Sequence, residues 1–212
     1  MEIERPLNSL QAIELFASDL ASVLRAGDVV ALDGPLGAGK TTLVRALAQA
    51  LGISPGMVSS PTFVLMHRYE RGDRPDLIHI DAYRIEPEEL DTLGLDTITQ
   101  DPPGAIVVIE WARRLGDALD GHTLRIELSH VDEHARSAHL RVPDTWLDRP
   151  SIGALQPRPD TTCPITGEHV PGECPTWPFA NERARMGDLG RWFSERYEIS
   201  RPIEERDLEE GE

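Results

Sequence analysis

The chain has few of the features that would bind it to nucleic acid or to a membrane. Its 212 residues carry a net charge of −16, and no run of basic residues occurs. Nucleic-acid binding depends largely on Lys and Arg neutralising phosphates, so tight, direct binding of RNA or DNA is not expected. No apolar run approaches the roughly 20 residues that span a bilayer, and the N-terminus lacks the pattern of a secretion signal. These absences predict a cytoplasmic protein without membrane attachment.

Cysteine and lysine are also scarce. The only two cysteines, Cys163 and Cys174, lie in the last third of the chain. They cannot cross-link the remainder, so we expect free thiols. Lys40 is the single lysine among 21 Lys and Arg residues. All the other residues of this pair of types are arginine, which indicates that a lysine is needed at position 40.

Lys40 lies in a segment that fits the pattern G-x-x-x-x-G-K-[ST]. The apolar run 29–32 before it predicts a buried strand, and the apolar spacing after it predicts a helix from Lys40 to about Leu51. Between a strand and a helix, such a loop aims backbone N–H groups at phosphate. The pattern therefore predicts ATP binding, with the Thr41 hydroxyl on Mg²⁺. The expected nucleotide-binding residues are Gly34, Pro35, Leu36, Gly37, Ala38, Gly39, Lys40, Thr41 and Thr42.

Two carboxylates stand where predicted strands end. Asp81 follows the apolar run 77–80, and Glu110 follows the apolar run 105–109. A P-loop enzyme needs a strand-end carboxylate to hold or orient Mg²⁺, so both are candidate catalytic and metal-binding residues. Trp111 is expected beside the nucleotide, although a tryptophan that simply fills the core fits almost as well.

The order of predicted elements indicates an α/β fold of P-loop NTPase type, with a mixed sheet flanked by helices. An amphipathic helix is predicted from Ser9 to Arg25, and a final strand pair at 124–128 and 138–142. A proline-rich stretch then favours a boundary near residue 150. We expect an ATPase domain at 1–150, a linker and small second unit at 151–202, and an acidic, disordered tail at 203–212.

Several short motifs together resemble the TsaE (YjeE) ATPases of bacterial tRNA threonylcarbamoyladenosine biosynthesis, over residues of about 9–142. Besides the phosphate loop they are Ser60-Pro61-Thr62-Phe63, Tyr69, His79-Ile80-Asp81-Ala82-Tyr83-Arg84, Leu93-Gly94-Leu95-Asp96 and Ile109-Glu110-Trp111. The resemblance implies Mg²⁺-dependent ATP hydrolysis, with Thr62 in a nucleotide-responsive switch and with catalytic roles for Thr62, Asp81 and Glu110. It also implies TsaD- and TsaB-like partners, which would modify the adenosine next to the anticodon, so that this chain would meet tRNA only through them.

The last third resembles a different family, the small zinc-binding YacG proteins described as DNA gyrase inhibitors. The similar segments are 163–166, 177–185 and 188–192. Four cysteines hold zinc in that family, whereas here Cys163 is joined by Thr166, Ala180 and Ala184. We therefore expect a degenerate zinc-ribbon-like unit without zinc, and its contact with gyrase stays open but is not favoured.

Two other functions fit part of the pattern. An ATP-dependent assembly switch without significant turnover would share every motif. A P-loop kinase acting on a small molecule would usually add an arginine-rich lid, which the sequence lacks. A GTPase would need a second lysine in its guanine-reading motif, and this chain has none.

Overall fold

The computed structural model describes residues 1–54, 66–85, 104–119, 122–133 and 135–198, with 117, 118 and 191–198 described by their backbone only. The chain forms two compact units, Met1–Pro157 and Arg158–Glu212. The predicted switch around Thr62, the segment 93–96 and the predicted tail at 203–212 lie outside the described residues. Within the described part, no helix combines the length and the apolar character that crossing a membrane requires.

A mixed sheet forms the centre of the first unit, as predicted. Its seven described strands are β1 (Glu2–Leu7), β2 (Val29–Asp33), β3 (Met66–Tyr69), β4 (Asp76–Asp81), β5 (Ala105–Glu110), β6 (Leu124–His130) and β7 (Arg136–Arg141). Their spatial order is β1-β7-β6-β2-β5-β4-β3. The four central strands run parallel, whereas β7, β1 and β3 join antiparallel at the two sides.

Two helices cover one face of this sheet. Helix α1 (Leu10–Val23) begins behind Ser9, whose hydroxyl accepts a hydrogen bond from the Ala12 N–H at 3.0 Å. Helix α2 (Lys40–Ala50) begins directly after the glycine loop. Both helices lie within the predicted ranges, because the cap and the apolar spacing are local signals that tertiary packing reinforces.

Alternation along the strands sends side chains to two separate apolar clusters. Leu32 and Val108 pack in the cluster that contains Val44 of α2. Ile80 and Ile109 pack in the other cluster, on the opposite face. Since β2, β4 and β5 are parallel, their carboxyl ends meet at one edge of the sheet. This arrangement brings the predicted acidic strand ends together.

Strand β1 was not predicted. Its buried positions alternate regularly, but one of them is occupied by Arg5. Nη1 of Arg5 donates to the carbonyl oxygen of Ala154 at 2.9 Å, and its Nη2 pairs with Asp19. A buried arginine is tolerated there because its charge and donors are satisfied, which the local pattern could not reveal.

The first unit includes residues beyond the expected boundary near 150. Trp146 and Leu155 are buried in the same core cluster as α1 and α2. Arg149 makes a bidentate pair with Asp28, at 2.6 and 2.7 Å, and its guanidinium lies 3.8 Å from the Trp146 ring centroid. Packing and a buried ion pair therefore fix this segment on the first unit.

The second unit is small. It contains the short strands β8 (Thr161–Thr162) and β9 (His169–Val170), paired antiparallel, and helix α3 (Glu182–Glu198). Among the side chains described in this unit, the buried apolar ones are those of Cys163, Val170 and Ala184, with Trp177 and Phe179 packed against them. This cluster is much smaller than the core of the first unit.

Replacing Arg149 by methionine should lower the free energy of unfolding by about 3 kcal/mol or more, because it leaves the buried Asp28 carboxylate without its cation. Urea denaturation followed by circular dichroism measures the change. The matched control is Arg141→Met, which removes an exposed pair with Glu2 at 3.5 Å and should cost less than about 1 kcal/mol. Equal losses for the two variants would contradict the assigned role of Arg149.

Candidate functional site

The glycine loop joins the end of β2 to the start of α2. Gly34 has a φ of 141°, and a Cβ there would overlap the carbonyl oxygen of Leu128 on β6. Gly39, the last loop residue, has a φ of 99° and immediately precedes the helix. Both positions favour glycine for its access to positive φ. The loop therefore delivers the unpaired N–H groups of the first turn of α2 to the carboxyl edge of the sheet.

Lys40 points back over this loop. Its side-chain amine, Nζ, donates to the carbonyl oxygens of Gly34 at 2.7 Å and Pro35 at 2.9 Å. The same Nζ lies 3.6 Å from the centre of the Trp111 ring, a cation–π contact. The lysine is thus held at the mouth of the loop.

The charge on Lys40 is surrounded by acidic groups. The residue is only 5% exposed, and burial lowers its pKa below the ordinary value. Glu110, Asp33 and Asp81 oppose this shift, since their negative charges favour the ammonium form. Three carboxylates around one ammonium group leave this edge with excess negative charge, which a bound cation would offset.

Glu110 ends β5 and is 2% exposed. Its Oε2 accepts a hydrogen bond from the Thr41 hydroxyl at 3.0 Å, and its Oε1 lies 2.9 Å from Nε2 of His79. The carboxylate therefore connects β5 both to the first turn of α2 and to β4. The structure brings Thr41 and Glu110 together, as their predicted shared role in metal binding requires.

Asp81 ends β4 directly beside Glu110 in the parallel register. It is half-buried, and its Oδ1 accepts the backbone N–H of Tyr83 at 3.0 Å. The two predicted acids are therefore neighbours at one edge, Glu110 buried and Asp81 half-buried. This difference in burial is a feature that the sequence did not predict.

Trp111 follows Glu110 in a left-handed conformation, with φ of 61°. Such a backbone is uncommon for a bulky residue and costs about 1–3 kcal/mol. It is stabilised by a hydrogen bond from the Trp111 N–H to the Leu32 carbonyl at 2.9 Å. Its ring contacts the Lys40 amine, and the ring centre of the exposed Tyr83 lies 5.1 Å away. Trp111 contacts the loop lysine, so its placement beside the site goes beyond filling the core.

The remaining predicted residues occupy different environments. Ala38 is buried, whereas Leu36 is 86% exposed, so only its backbone can serve a phosphate. Thr42 is half-buried in the first turn of α2. Thr62 lies outside the described residues. His79 and Tyr83 belong to a sequence motif but had no predicted role. For His79 a signal was available, because side chains alternate along a strand and His79 therefore lies on the same face as Asp81.

These residues fit Mg²⁺ and a phosphate chain. A threonine hydroxyl and two carboxylates supply the hard oxygen atoms that Mg²⁺ prefers. The start of α2 and Lys40 supply the N–H groups and the positive charge that suit phosphate. The donor set of this edge thus matches the predicted cofactor pair.

The second unit presents a different donor set. Cys163 is buried, and its sulfur accepts the Thr166 N–H at 3.5 Å, while Ala180 and Ala184 pack in the same cluster. One thiol and one hydroxyl among the four positions do not fit zinc, which requires four nitrogen, sulfur or carboxylate ligands. No group of three or more His, Cys, Asp or Glu residues suited to a metal ion occurs among the described residues.

A family model described as "Threonylcarbamoyl adenosine biosynthesis protein TsaE" matches residues 7–138. The chain belongs to the TsaE family. A Mycobacterium bovis protein named tRNA threonylcarbamoyladenosine biosynthesis protein TsaE is 44% identical over 123 residues, which cover 54% of this chain and 71% of that protein. The Mycobacterium leprae protein of the same name is 43% identical over 138 residues, covering 61% and 80%.

A solved structure and a second family model complete the comparison. The crystal structure of YdiB from Bacillus subtilis superposes with a TM-score of 0.56 at 26% identity, covering 68% of this chain and 88% of that one. It supports the P-loop NTPase-like fold. A model described as "DNA gyrase inhibitor YacG" matches residues 161–210. Both resemblances predicted from the sequence are thereby confirmed, the TsaE-like region and the YacG-like C-terminal segment.

Gly34→Ala should lower the free energy of unfolding by about 2 kcal/mol or more, through backbone strain and the overlap with Leu128. Gly72→Ala is the matched control, because Gly72 also has a positive φ, 63°, but no atom within 4 Å of an added Cβ. It should cost about 1 kcal/mol. Urea denaturation of both variants measures the difference, and a Gly34 variant as stable as the Gly72 variant would show that the loop can move away from β6.

Proposed function

We propose that this TsaE-family chain binds ATP with Mg²⁺ and hydrolyses it in support of tRNA threonylcarbamoyladenosine formation. One observation carries the proposal. The hydroxyl of the loop threonine, Thr41, donates to the strand-end carboxylate Glu110 at 3.0 Å, beside the start of α2 and beside Lys40. A metal site and a phosphate site would thus adjoin each other on rigid elements.

The loop and Lys40 would bind the phosphate chain. The N–H groups at the start of α2 would donate to the phosphate oxygens. Lys40 would exchange its bonds to the Gly34 and Pro35 carbonyls for bonds to the outer phosphates. Trp111 would keep the amine near the loop during this exchange, since its ring centre lies 3.6 Å from Nζ.

Thr41 and Glu110 would hold Mg²⁺, directly or through water, and Asp81 would complete the acidic edge. When bound, Mg²⁺ neutralises the charge that develops on the transferring phosphoryl group. Asp81 is the more open of the two carboxylates and is therefore the better placed to orient an attacking water. Thr62, outside the described residues, stays a predicted member of the catalytic set.

The biological role is proposed from the relatives, which are named for tRNA threonylcarbamoyladenosine biosynthesis. TsaD- and TsaB-like proteins are the proposed partners, and they would carry out the chemistry on tRNA. The net charge of −16 agrees with an indirect role, because phosphate-rich RNA would be repelled by this surface. A cytoplasmic location is part of the same proposal.

The decisive experiment measures phosphate release from ATP by the chain alone and with TsaB and TsaD. Release should require Mg²⁺ and should fall about 100-fold in Lys40→Ala and in Glu110→Gln. Lys40 would stabilise charge on the transferring phosphoryl group directly, and Glu110 would hold the Mg²⁺ that does the same. Glu127→Gln is the matched control for Glu110. It removes a carboxylate within β6, a strand that β2 separates from β5. Glu127 pairs with Arg113 at 2.5 Å, and its replacement should change the rate by less than about twofold.

The other outcomes separate the alternatives. The chain could bind ATP but release no more phosphate than the two variants, both alone and with TsaB and TsaD. That result would favour an assembly switch over hydrolysis. Transfer of phosphate to an added small molecule would favour a kinase. Absence of any nucleotide-dependent complex with TsaB and TsaD would contradict the proposed partnership.

A further inference from the structure

His79 is a buried polar residue in the middle of the sheet. It lies on β4 and is 0% exposed. Leu77 on the same strand packs in the α2-side cluster, whereas Ile78 and Ile80 pack in the other. Side chains alternate along a strand, so His79 projects toward α2, on the same face as Asp81.

Among the residues that the structure describes, the imidazole makes one polar contact, with Glu110. Its Nε2 lies 2.9 Å from Oε1 of Glu110. Because a carboxylate only accepts hydrogen bonds, Nε2 carries the hydrogen. The other ring nitrogen, Nδ1, is buried and has no hydrogen-bond partner among the residues that the structure describes. His79 is therefore oriented by Glu110 and by packing.

The packing alone does not explain a histidine at this position. Its partners in register are Val108 on β5 and His67 on β3, and its neighbour on the same face of β4 is Leu77. An aliphatic side chain would suit the two apolar neighbours without burying an unpaired nitrogen, which is costly. What an aliphatic side chain could not do is donate to Glu110.

We propose that His79 is a positioning residue for the Mg²⁺-nucleotide site. By holding Oε1 of Glu110, it leaves Oε2 directed at the Thr41 hydroxyl and the start of α2. His79 acts through Glu110 and does not touch the nucleotide. Residues that orient metal ligands in this way commonly change metal affinity about 10- to 100-fold when they are replaced. This inference rests on the proposed function of the same site.

The test compares two amides of different reach. In His79→Gln the amide nitrogen can take the place of Nε2, whereas in His79→Asn it corresponds to Nδ1 and falls short of Glu110. Affinity for a fluorescent ATP analogue is measured in EDTA and across a Mg²⁺ series. We expect similar affinities without Mg²⁺. The Mg²⁺ concentration for half-maximal enhancement should rise about tenfold or more in His79→Asn and should stay near the wild-type value in His79→Gln.

Two controls separate positioning from general damage. His67→Asn changes the residue on β3 that pairs in register with His79. Nδ1 of His67 lies 3.4 Å from the Tyr69 hydroxyl, so this variant should leave the Mg²⁺ response unchanged. In a Glu110→Gln background, His79→Asn should have little further effect on the Mg²⁺ response, because interacting residues are not additive. Melting temperatures are recorded throughout. If the asparagine variant does not fold, His79→Met fills the volume without a donor and replaces it.

The outcomes distinguish this inference from the proposed function. A wild-type Mg²⁺ response in folded His79→Asn, or equal losses in the asparagine and glutamine variants, would overturn the positioning role and leave the proposed function standing. A wild-type chain that binds the ATP analogue without any effect of Mg²⁺ would overturn both.

Discussion

The buried carboxylate of Glu110 is the interaction on which the site depends. A carboxylate that is 2% exposed must have partners, and the two oxygens of Glu110 find them on two different elements. One accepts from Thr41 on α2 and the other contacts His79 on β4. The acid is therefore fixed in orientation before any ligand arrives, and the loop, the helix and two parallel strands are held in one geometry.

The same edge concentrates opposite charges around a single lysine. Lys40 has Glu110, Asp33 and Asp81 as its acidic neighbours, and it also contacts the face of Trp111. The strained backbone of Trp111 is what places that ring against the amine. The strain costs about 1–3 kcal/mol, and β2 offsets it in part through the hydrogen bond that the Leu32 carbonyl accepts. A relaxed backbone at this position would direct the ring elsewhere.

Much of this site follows from local sequence signals. An apolar run before the loop, a glycine pattern and apolar helical spacing after it were enough to predict β2, the loop and α2. Asp81 and Glu110 were predicted because each ends an apolar run. Their adjacency, and the contact of His79 with Glu110, depend on the pairing of β4 with β5, whose members lie about 30 residues apart. Local patterns do not carry that register.

Strand β1 was not predicted for a related reason. A charged residue, Arg5, occupies one of its buried positions, and the partners that satisfy it, Asp19 and Ala154, are distant in sequence.

The second unit holds a buried thiol, that of Cys163, among hydrogen-bond donors. Burial raises the pKa of the Cys163 thiol, but hydrogen bonds from the Thr166 side chain and from the backbone of Ala180, Thr166 and Ile165 lower it to about 7. N–H groups converging on one sulfur would stabilise a metal-bound thiolate equally well. Here Ala180 and Ala184 pack in the same cluster as Cys163, and Cys174 packs against it. Among the described residues, hydrogen bonds and apolar packing therefore hold the local turn around Cys163.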